Sequence, residues 1–424
     1  MFTNTYLPHV GGVARSVNTY EEEFRRRGHD VRIIAPEFEG AEESTQYVLR
    51  VPAIQNFNGS DFSVRIPQPG LISDYLDEFQ PEIIHSHHPF LLGDSALRAA
   101  WERRLPLVFT HHTLYEKYTH YVPLDSEAMQ RVAIQMATEY CNLCTHVIAP
   151  SESIAELLVK RQVTQPIRAI PTGIDLDHFG GGDAAPIRQR FNIPADALVI
   201  GHVGRLAEEK NLAFLARGVG TFLSTHPDAH WLVVGSGEAA ETIQEIVGRT
   251  ANPRQLIMTG CLTGQELVNA YTAMDLFVFS SQSETQGMVL VEAMAARTPV
   301  VAIDGPGVRD VLNDVNGRML AGNASEAAFV QAMQEMSDDR AALVDRGELA
   351  RQSVREFGLD VCADRMLELY EQLIEENVDP DGQETGPWDR LLGRLEIEWN
   401  LFVEKTSALA AAVVETDATR SQLD

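Results

Sequence analysis

The chain has 424 residues, 44% hydrophobic and 22% charged, so it is a soluble globular protein too long for a single ordinary core, and two domains of typical size plus extras are expected. With 34 basic against 61 acidic residues the net charge is −27, which excludes a broad nucleic-acid-binding face and disfavours adhesion to an anionic membrane. Four cysteines make no disulfide framework, and neither a signal peptide nor an apolar run long enough to span a bilayer is present, so the expected location is cytoplasmic.

The N-terminus, Met1 to Val13, reads as a strand end, a loop and the start of a helix that runs to Arg27 and stops at Gly28. Gly11 and Gly12 at that helix start would let backbone N–H groups approach an anion. The first strand is short for an α/β domain. Strands then alternate with helices: Val31 to Pro36, helix Leu71 to Phe79, strand Glu82 to His85, helix Asp94 to Arg103, strand Leu105 to Thr110. Continuous apolar strands between helices predict a parallel sheet covered on both faces, with ligands beyond the strands' carboxyl ends. His85, His87, His88, His111 and His112 cluster at two of those ends, where substrate contact is the first reading and metal ligation the second. Thr113 to Pro123, aromatic and polar, reads as a loop over the site mouth. A helix from Glu127 to Asn142 carries Cys141 and leads to Cys144, and the pair is assigned to packing because no second ligand pair completes a metal or redox site. The strand Thr145 to Ala149, a helix capped by Ser151, and Ile167 to Asp175 complete the first half. The stretches Arg25-Arg26-Arg27 and Arg103-Arg104, its best candidates for a basic patch, read as solvated helix ends.

Phe179 to Pro186, with three consecutive glycines, reads as the hinge. A second alternating set begins at Leu198 to Leu206 and leads into Arg205 and Lys210, a planar fork and a point charge suited to a diphosphate. Trp231 to Glu238 is a strand and a glycine turn that lacks the third glycine of a dinucleotide fingerprint. Strands follow at Gln255 to Thr259, Asp275 to Phe279 and Pro299 to Ile303. After Phe279 stand Glu284 and Glu292, eight positions apart, on a polar turn that opens an apolar helix near Gly287. Exposed backbone amides at that helix start suit a phosphate, and two acids beside them suggest a phosphate-linked polyol such as a nucleotide sugar. Helices from Ser325 to Tyr370 follow. The tail from Glu371 carries 4 basic against 13 acidic residues, with an amphipathic stretch at Trp388 to Val403 that reads as a packed or partner-binding helix.

Taken together, Gly11-Gly12-Val13, Phe109 to Thr113, Pro150-Ser151, Pro171 to Asp175, Gly204-Arg205-Leu206 with Lys210, and the Glu284–Glu292 pair resemble the retaining glycosyltransferases of family 4. The resemblance spans the chain to about Tyr370. It implies the α/β GT-B architecture: two Rossmann-like, doubly wound domains facing a cleft, at 1–178 and 186–354, a helix at 355–376 returning to the first domain, and an acidic tail at 377–424. It further implies that Glu284 contacts donor-sugar hydroxyls, Glu292 the nucleotide ribose, and Arg205 and Lys210 the diphosphate. His112 would touch the sugar near the reacting centre, with His111 a mere neighbour. Gly11 and Gly12, and the amides of Gly287, Met288 and Val289, would meet the phosphates. The implied reaction moves a hexose from a nucleotide-diphosphate sugar, a UDP-sugar first, to an acceptor hydroxyl, with no metal and no other cofactor.

The wording Ser283 to Gly287, with Thr285-Gln286 where many members have Gly and Phe, and His112 to Glu116, is most similar to the diacylglycerol glucosyltransferase branch. A lipid acceptor, with at most peripheral membrane contact, and a soluble sugar or polyol are both expected acceptors. A nucleotide-sugar 2-epimerase and a non-catalytic nucleotide-sugar sensor are the alternatives.

Overall fold

Along each long strand the apolar residues divide by parity between two layers, as a sheet buried on both faces requires. In the second half Val199, Phe277, Phe279, Val300 and Ala302 enter one core, and Ile200, Leu276, Val278, Val301 and Ile303 the other. In the first half Ile84, Phe109 and Val147 face one core, and Ile33, Val108 and Ile148 the other. Burying each of these Val, Leu, Ile and Phe side chains contributes roughly 1.5–3 kcal/mol, so these strands anchor both halves.

The computed structural model describes residues 1–9, 11–38, 40–41, 44–54, 64–65, 70–117 and 127–377. The chain divides into two compact units, Met1–Pro171 with the chain from Ala363, and Thr172–Cys362. The acidic tail beyond residue 377 and the Tyr118 to Pro123 part of the aromatic loop lie outside the described residues. Among the described residues no helix is long and apolar enough to cross a membrane.

The first unit opens with helix α1 (Gly12–Arg26). Strands β1 (Ile33–Pro36) and β2 (Val48–Val51) pair in parallel, and β3 (Ala53–Ile54) pairs antiparallel with β4 (Val64–Arg65). Helix α2 (Leu71–Phe79) precedes β5 (Ile84–Ser86); α3 (Leu92–Arg103), β6 (Leu107–Thr110), α4 (Glu127–Leu143), β7 (His146–Ala149), α5 (Glu152–Lys160) and β8 (Ile167–Ala169) follow. Strands β5 to β8 form a four-stranded parallel sheet. The short first strand is a single residue: Phe2 bridges in parallel to Ile34 of β1 and to Ser86 of β5. Its amide donates to His85 O at 2.8 Å and its carbonyl accepts from His87 N at 2.9 Å, so one residue sits between the two sheets. Strand β2 was not foreseen, and it carries a buried arginine, Arg50, whose guanidinium donates to Leu7 O at 2.6 Å. Cys141 and Cys144 are buried, free and part of the core, as their spacing on an amphipathic helix suggested.

The second unit holds α6 (Leu176–Gly180), α7 (Ala185–Arg190), β9 (Val199–Val203), α8 (Leu212–Thr225), β10 (His230–Val234), α9 (Ala240–Thr250), β11 (Leu256–Gly260), α10 (Gly264–Ala273), β12 (Leu276–Phe279), α11 (Met288–Ala295), β13 (Val300–Ile303), α12 (Val308–Val311), β14 (Gly317–Leu320), α13 (Glu326–Ser337) and α14 (Arg340–Ser353). Its six strands are parallel in the order β11-β10-β9-β12-β13-β14. Strand β14 extends the sheet past Pro299 to Ile303, where the sequence reading ended it. The three-glycine stretch expected as a hinge lies inside this unit, where a Cβ at Gly182 would come 2.0 Å from Thr272 Oγ1. Helix α15 (Leu359–Glu376) then sends Ala363, Met366, Leu369 and Tyr370 into a core of the first unit with Tyr20 and Phe24.

The strand order reverses direction between β9 and β12, and doubly wound sheets bind ligands outside the carboxyl ends of the strands at such a point. Here those ends lead into Arg205 and Glu284. The turn after β10 packs against the first of them: a Cβ on Gly235, whose φ is +141°, would lie 1.9 Å from Gly204 O. Gly235→Ala is therefore expected to destabilise the second unit by about 2 kcal/mol or more and to disturb the Arg205 loop. Urea unfolding compared with Gly248→Ala, where a Cβ meets nothing within 4 Å, is the check.

Candidate active site

Strand β9 ends at Val203, and the chain then turns through Gly204, Arg205 and a single 3-10 turn, Glu208–Lys210, into α8. Asn211, with φ of 55°, closes that turn. Strand β12 ends at Phe279 and continues as the polar turn Ser280 to Gln286. Hydroxyls of the second segment hold the backbone of the first: Ser280 Oγ donates to Lys210 O at 3.2 Å and Asn211 O at 3.1 Å, and Ser283 Oγ to Glu209 O at 3.2 Å. Between the strands themselves, buried His202 donates from Nδ1 to Val278 O at 3.1 Å. The turns are thus stitched together before any side-chain charges meet.

Across this seam Lys210 Nζ donates to Glu284 Oε2 at 3.1 Å, and Gly287 N donates to Glu284 Oε1 at 3.3 Å. Both charged side chains are largely buried, at 17% and 19% exposure. Burial pushes the Glu284 carboxyl up, but Lys210 and the amides of Gly287 and Gln286 outweigh it and hold the carboxyl below its ordinary value. Gly287 sits at the N-cap of α11 in the left-handed region, φ 79°, and a Cβ there would lie 3.0 Å from Gly307 O. A side chain at this position would strain the turn that brings Glu284 onto the helix start.

Glu292, in the second turn of α11, is 1% exposed and accepts from Tyr271 Oη at 2.6 Å. Arg205 is paired with Glu209, one helical turn on in the same loop. The sequence reading gathered Arg205, Lys210, Glu284 and the helix start at one place, and the structure brings these together within the second unit. It did not foresee that both cations already hold carboxylates, nor that the Gly287 amide is engaged by Glu284: Lys210 and Glu284 are distant in sequence, and Glu209 was read only as part of the loop. Gln286, read as a pointer to the acceptor, is 5% exposed, and both ends of its amide bond Thr172: Oε1 accepts from Thr172 N at 2.9 Å and Nε2 donates to Thr172 O at 2.6 Å. That side chain holds the start of the second unit to the Glu284 turn, a structural task that its position in the motif did not reveal.

In the first unit α1 starts at Gly12 after an extended Gly11, with no side-chain cap and no acidic residue in its first turn, which leaves the helix start suited to an anion. Three of the histidines form a chain in which His85 and His87 are buried and His112 is half-buried. His87 Nδ1 lies 2.9 Å from His112 Nε2, and His85 spans Tyr370 Oη at 2.5 Å and Thr110 Oγ1 at 2.7 Å. His88 Nδ1 accepts from Asn4 N at 3.0 Å. Burial, reinforced by His88 and His111, pushes His112 down to about 3, so the imidazole is neutral near pH 7 and acts by hydrogen bonding. Among the described residues no three His, Cys, Asp or Glu side chains converge as a metal-ligand set. The arginine run at the end of α1 is neutralised locally: Arg25 pairs with Glu21, and Arg26 and Arg27 with Glu23.

Two family models match the chain: Glycosyltransferase Family 4 over residues 10–178 and Glycosyl transferases group 1 over residues 183–353. Among curated relatives, an alpha-monoglucosyldiacylglycerol synthase of Streptococcus pneumoniae is 28% identical over 74% of this chain and 73% of its own length. A GDP-mannose-dependent alpha-mannosyltransferase of Corynebacterium glutamicum is 31% identical over 74% of this chain and 75% of its own length. Among solved structures, Anabaena HepE in complex with UDP and glucose superposes with a TM-score of 0.68 at 17% identity, over 88% of this chain and 98% of that one. That likeness establishes the GT-B fold for the two parallel-sheet units.

The Glu284 carboxyl gives a pH signature. Its value in the folded protein lies below 4.5, so its contribution to stability is complete above that value and is lost as pH falls through the lower, folded one. In Lys210→Met the burial remains while the largest opposing charge is gone, so the folded value rises and the sign reverses. The variant is expected to be about 1–3 kcal/mol less stable than the parent at pH 7, with the deficit shrinking as pH falls to 4. Denaturant unfolding across that range measures it; a deficit independent of pH contradicts the assignment.

Proposed function

The chain belongs to glycosyltransferase family 4, and from that premise we propose that it moves a hexose, with retention of configuration, from a nucleotide-diphosphate sugar to the hydroxyl of a diacylglycerol-type acceptor. The observation that carries the reading is the Lys210–Glu284 pair, 3.1 Å long and capped onto the start of α11. It offers a cation for phosphate and a carboxylate, ionised at neutral pH, for sugar hydroxyls on two adjoining turns.

Donor binding is then an exchange of partners. The diphosphate takes Arg205 and Lys210, which in the free protein hold Glu209 and Glu284, and Glu284 turns its acceptor capacity to the sugar. Because both cations start neutralised, free inorganic anions gain little from them, whereas a donor that satisfies Glu284 with hydroxyls at the same time gains from both. Glu292 accepts from the ribose. As the bond from the anomeric carbon to the diphosphate lengthens, positive charge grows on the sugar and negative charge on the leaving oxygen. Arg205, Lys210 and the amides of Met288 and Val289 stabilise the latter, each fixed donor contributing about 2–4 kcal/mol. The acceptor oxygen attacks on the face the leaving group vacates, and its proton passes to the departing phosphate, so no protein base is required. The roles that the family resemblance gives His112, Gly11 and Gly12 toward sugar and phosphate belong to the same proposal.

A UDP-sugar is the first donor to try, in keeping with the UDP bound by Anabaena HepE, and a GDP-sugar the second, because the Corynebacterium relative is named for GDP-mannose. The diacylglycerol acceptor follows the pneumococcal relative's name and the wording of Ser283 to Gly287. The test is nucleoside diphosphate release from UDP-glucose, GDP-mannose and ADP-glucose, with and without diacylglycerol in mixed micelles. Release that depends on diacylglycerol, and that falls about 100-fold or more in Glu284→Ala, is expected. Release with a free sugar or inositol phosphate but not with diacylglycerol removes the lipid acceptor. Failure of every nucleotide sugar to stabilise the protein against heat removes the reading.

A further inference from the structure

Glu292 raises a problem that its position in the motif does not solve. The residues around it on α11, namely Leu290, Val291, Ala293, Met294 and Ala295, are all buried, and the carboxylate itself is 1% exposed. A carboxylate buried on an apolar helix costs several kcal/mol unless strong donors meet it, and an alanine or leucine there would pack without that cost. One donor is built in. Tyr271, on α10 and 0% exposed, directs its hydroxyl to Glu292 Oε2 at 2.6 Å.

The tyrosine is itself held on every side. Its ring meets Phe179 edge-on at 5.7 Å and Phe277 at 5.9 Å, and its carbonyl accepts from buried Thr298 Oγ1 at 3.1 Å. A phenol offers one hydrogen, and a hydrogen bond to an ionised acceptor is short and strong. From a ring that cannot swing, that hydrogen selects one carboxylate oxygen and one rotamer. A flexible acid that had to be ordered at the moment of binding would give up part of its affinity to that ordering.

We propose that Tyr271 is a positioning residue: its hydroxyl orients the Glu292 carboxylate so that it can accept from the two ribose hydroxyls of a nucleoside diphosphate. This rests on the assignment of Glu292 to the ribose, and the experiment separates the two. A purely structural tyrosine would change stability and weaken every nucleotide alike. A positioning tyrosine changes discrimination between a nucleotide that has the diol and one that lacks it.

Binding of UDP, GDP and their 2′,3′-dideoxy counterparts is measured by calorimetry on the full chain, for the parent, Tyr271→Phe and Tyr271→para-aminophenylalanine, which keeps a donor at the same place. The parent is expected to lose about tenfold or more in affinity when the diol is removed, and Tyr271→Phe less than about threefold. The para-amino variant is expected to recover most of the parent's discrimination. Equal discrimination in the parent and Tyr271→Phe overturns the role of Tyr271 while leaving Glu292 on the ribose. No discrimination in the parent, with either base, removes the ribose assignment and this role with it. If Tyr271→Phe does not fold, the para-amino variant decides alone: loss of discrimination there overturns the proposal and retention supports it.

Discussion

The candidate site of the second unit is built around one ion pair placed where its sheet reverses winding. Lys210 follows β9 and Glu284 follows β12, and these neighbouring strands are far apart in sequence. The pair is kept largely from water, where an ammonium and a carboxylate often cost more to desolvate than their attraction returns. An apolar pair of similar size would hold the two turns together at least as well. What the ion pair supplies instead is two opposite charges in fixed positions, and in the proposed function each changes partners when a ligand carrying both phosphate and hydroxyls arrives. The surrounding hydroxyls of Ser280 and Ser283 hold the backbone, so the charged groups do not have to.

The same economy appears in the first unit with neutral groups. His85, His87, His88 and His112 are close enough that charging one would raise the cost of charging the next, and burial holds them all neutral. The candidate residues among these histidines are therefore neutral hydrogen-bonding groups whose orientation is set by neighbours, while the charged candidates, Arg205, Lys210, Glu284 and Glu292, lie in the second unit.

Much of this was legible from the amino acids. Strands with apolar residues on both faces, helices between them, and glycines at two helix starts were enough to expect two parallel-sheet units. Arg205, Lys210, Glu284 and Glu292 stood out because each is charged at a strand end or inside an apolar helix, where packing alone has no use for charge. Three kinds of feature were not legible. Strand β14 opens with Gly317 and an exposed Arg318, and β2 includes Arg50, so neither reads as a continuous apolar run. The first strand is reduced to Phe2, and one residue has no period. The partners of other site residues, Glu284 for Lys210, Tyr271 for Glu292 and Thr172 for Gln286, are chosen by tertiary contact, which neither spacing nor composition encodes. Gln286 is the sharpest case, since it served only as a hint about the acceptor and its side chain bonds the backbone of the unit's first residue.

The central claim is that Lys210 and Glu284 hold each other in the free protein as a coupled pair. A double-mutant cycle measures this directly, using the unfolding free energies at pH 7 of the parent, Lys210→Met, Glu284→Gln and the double variant, without ligand. A coupling energy of about 1–3 kcal/mol is expected, with the double variant more stable than the sum of the single losses predicts. Losses that add to within about 0.5 kcal/mol would mean that the two charges do not depend on each other, and the account of the site as a partner exchange would fall.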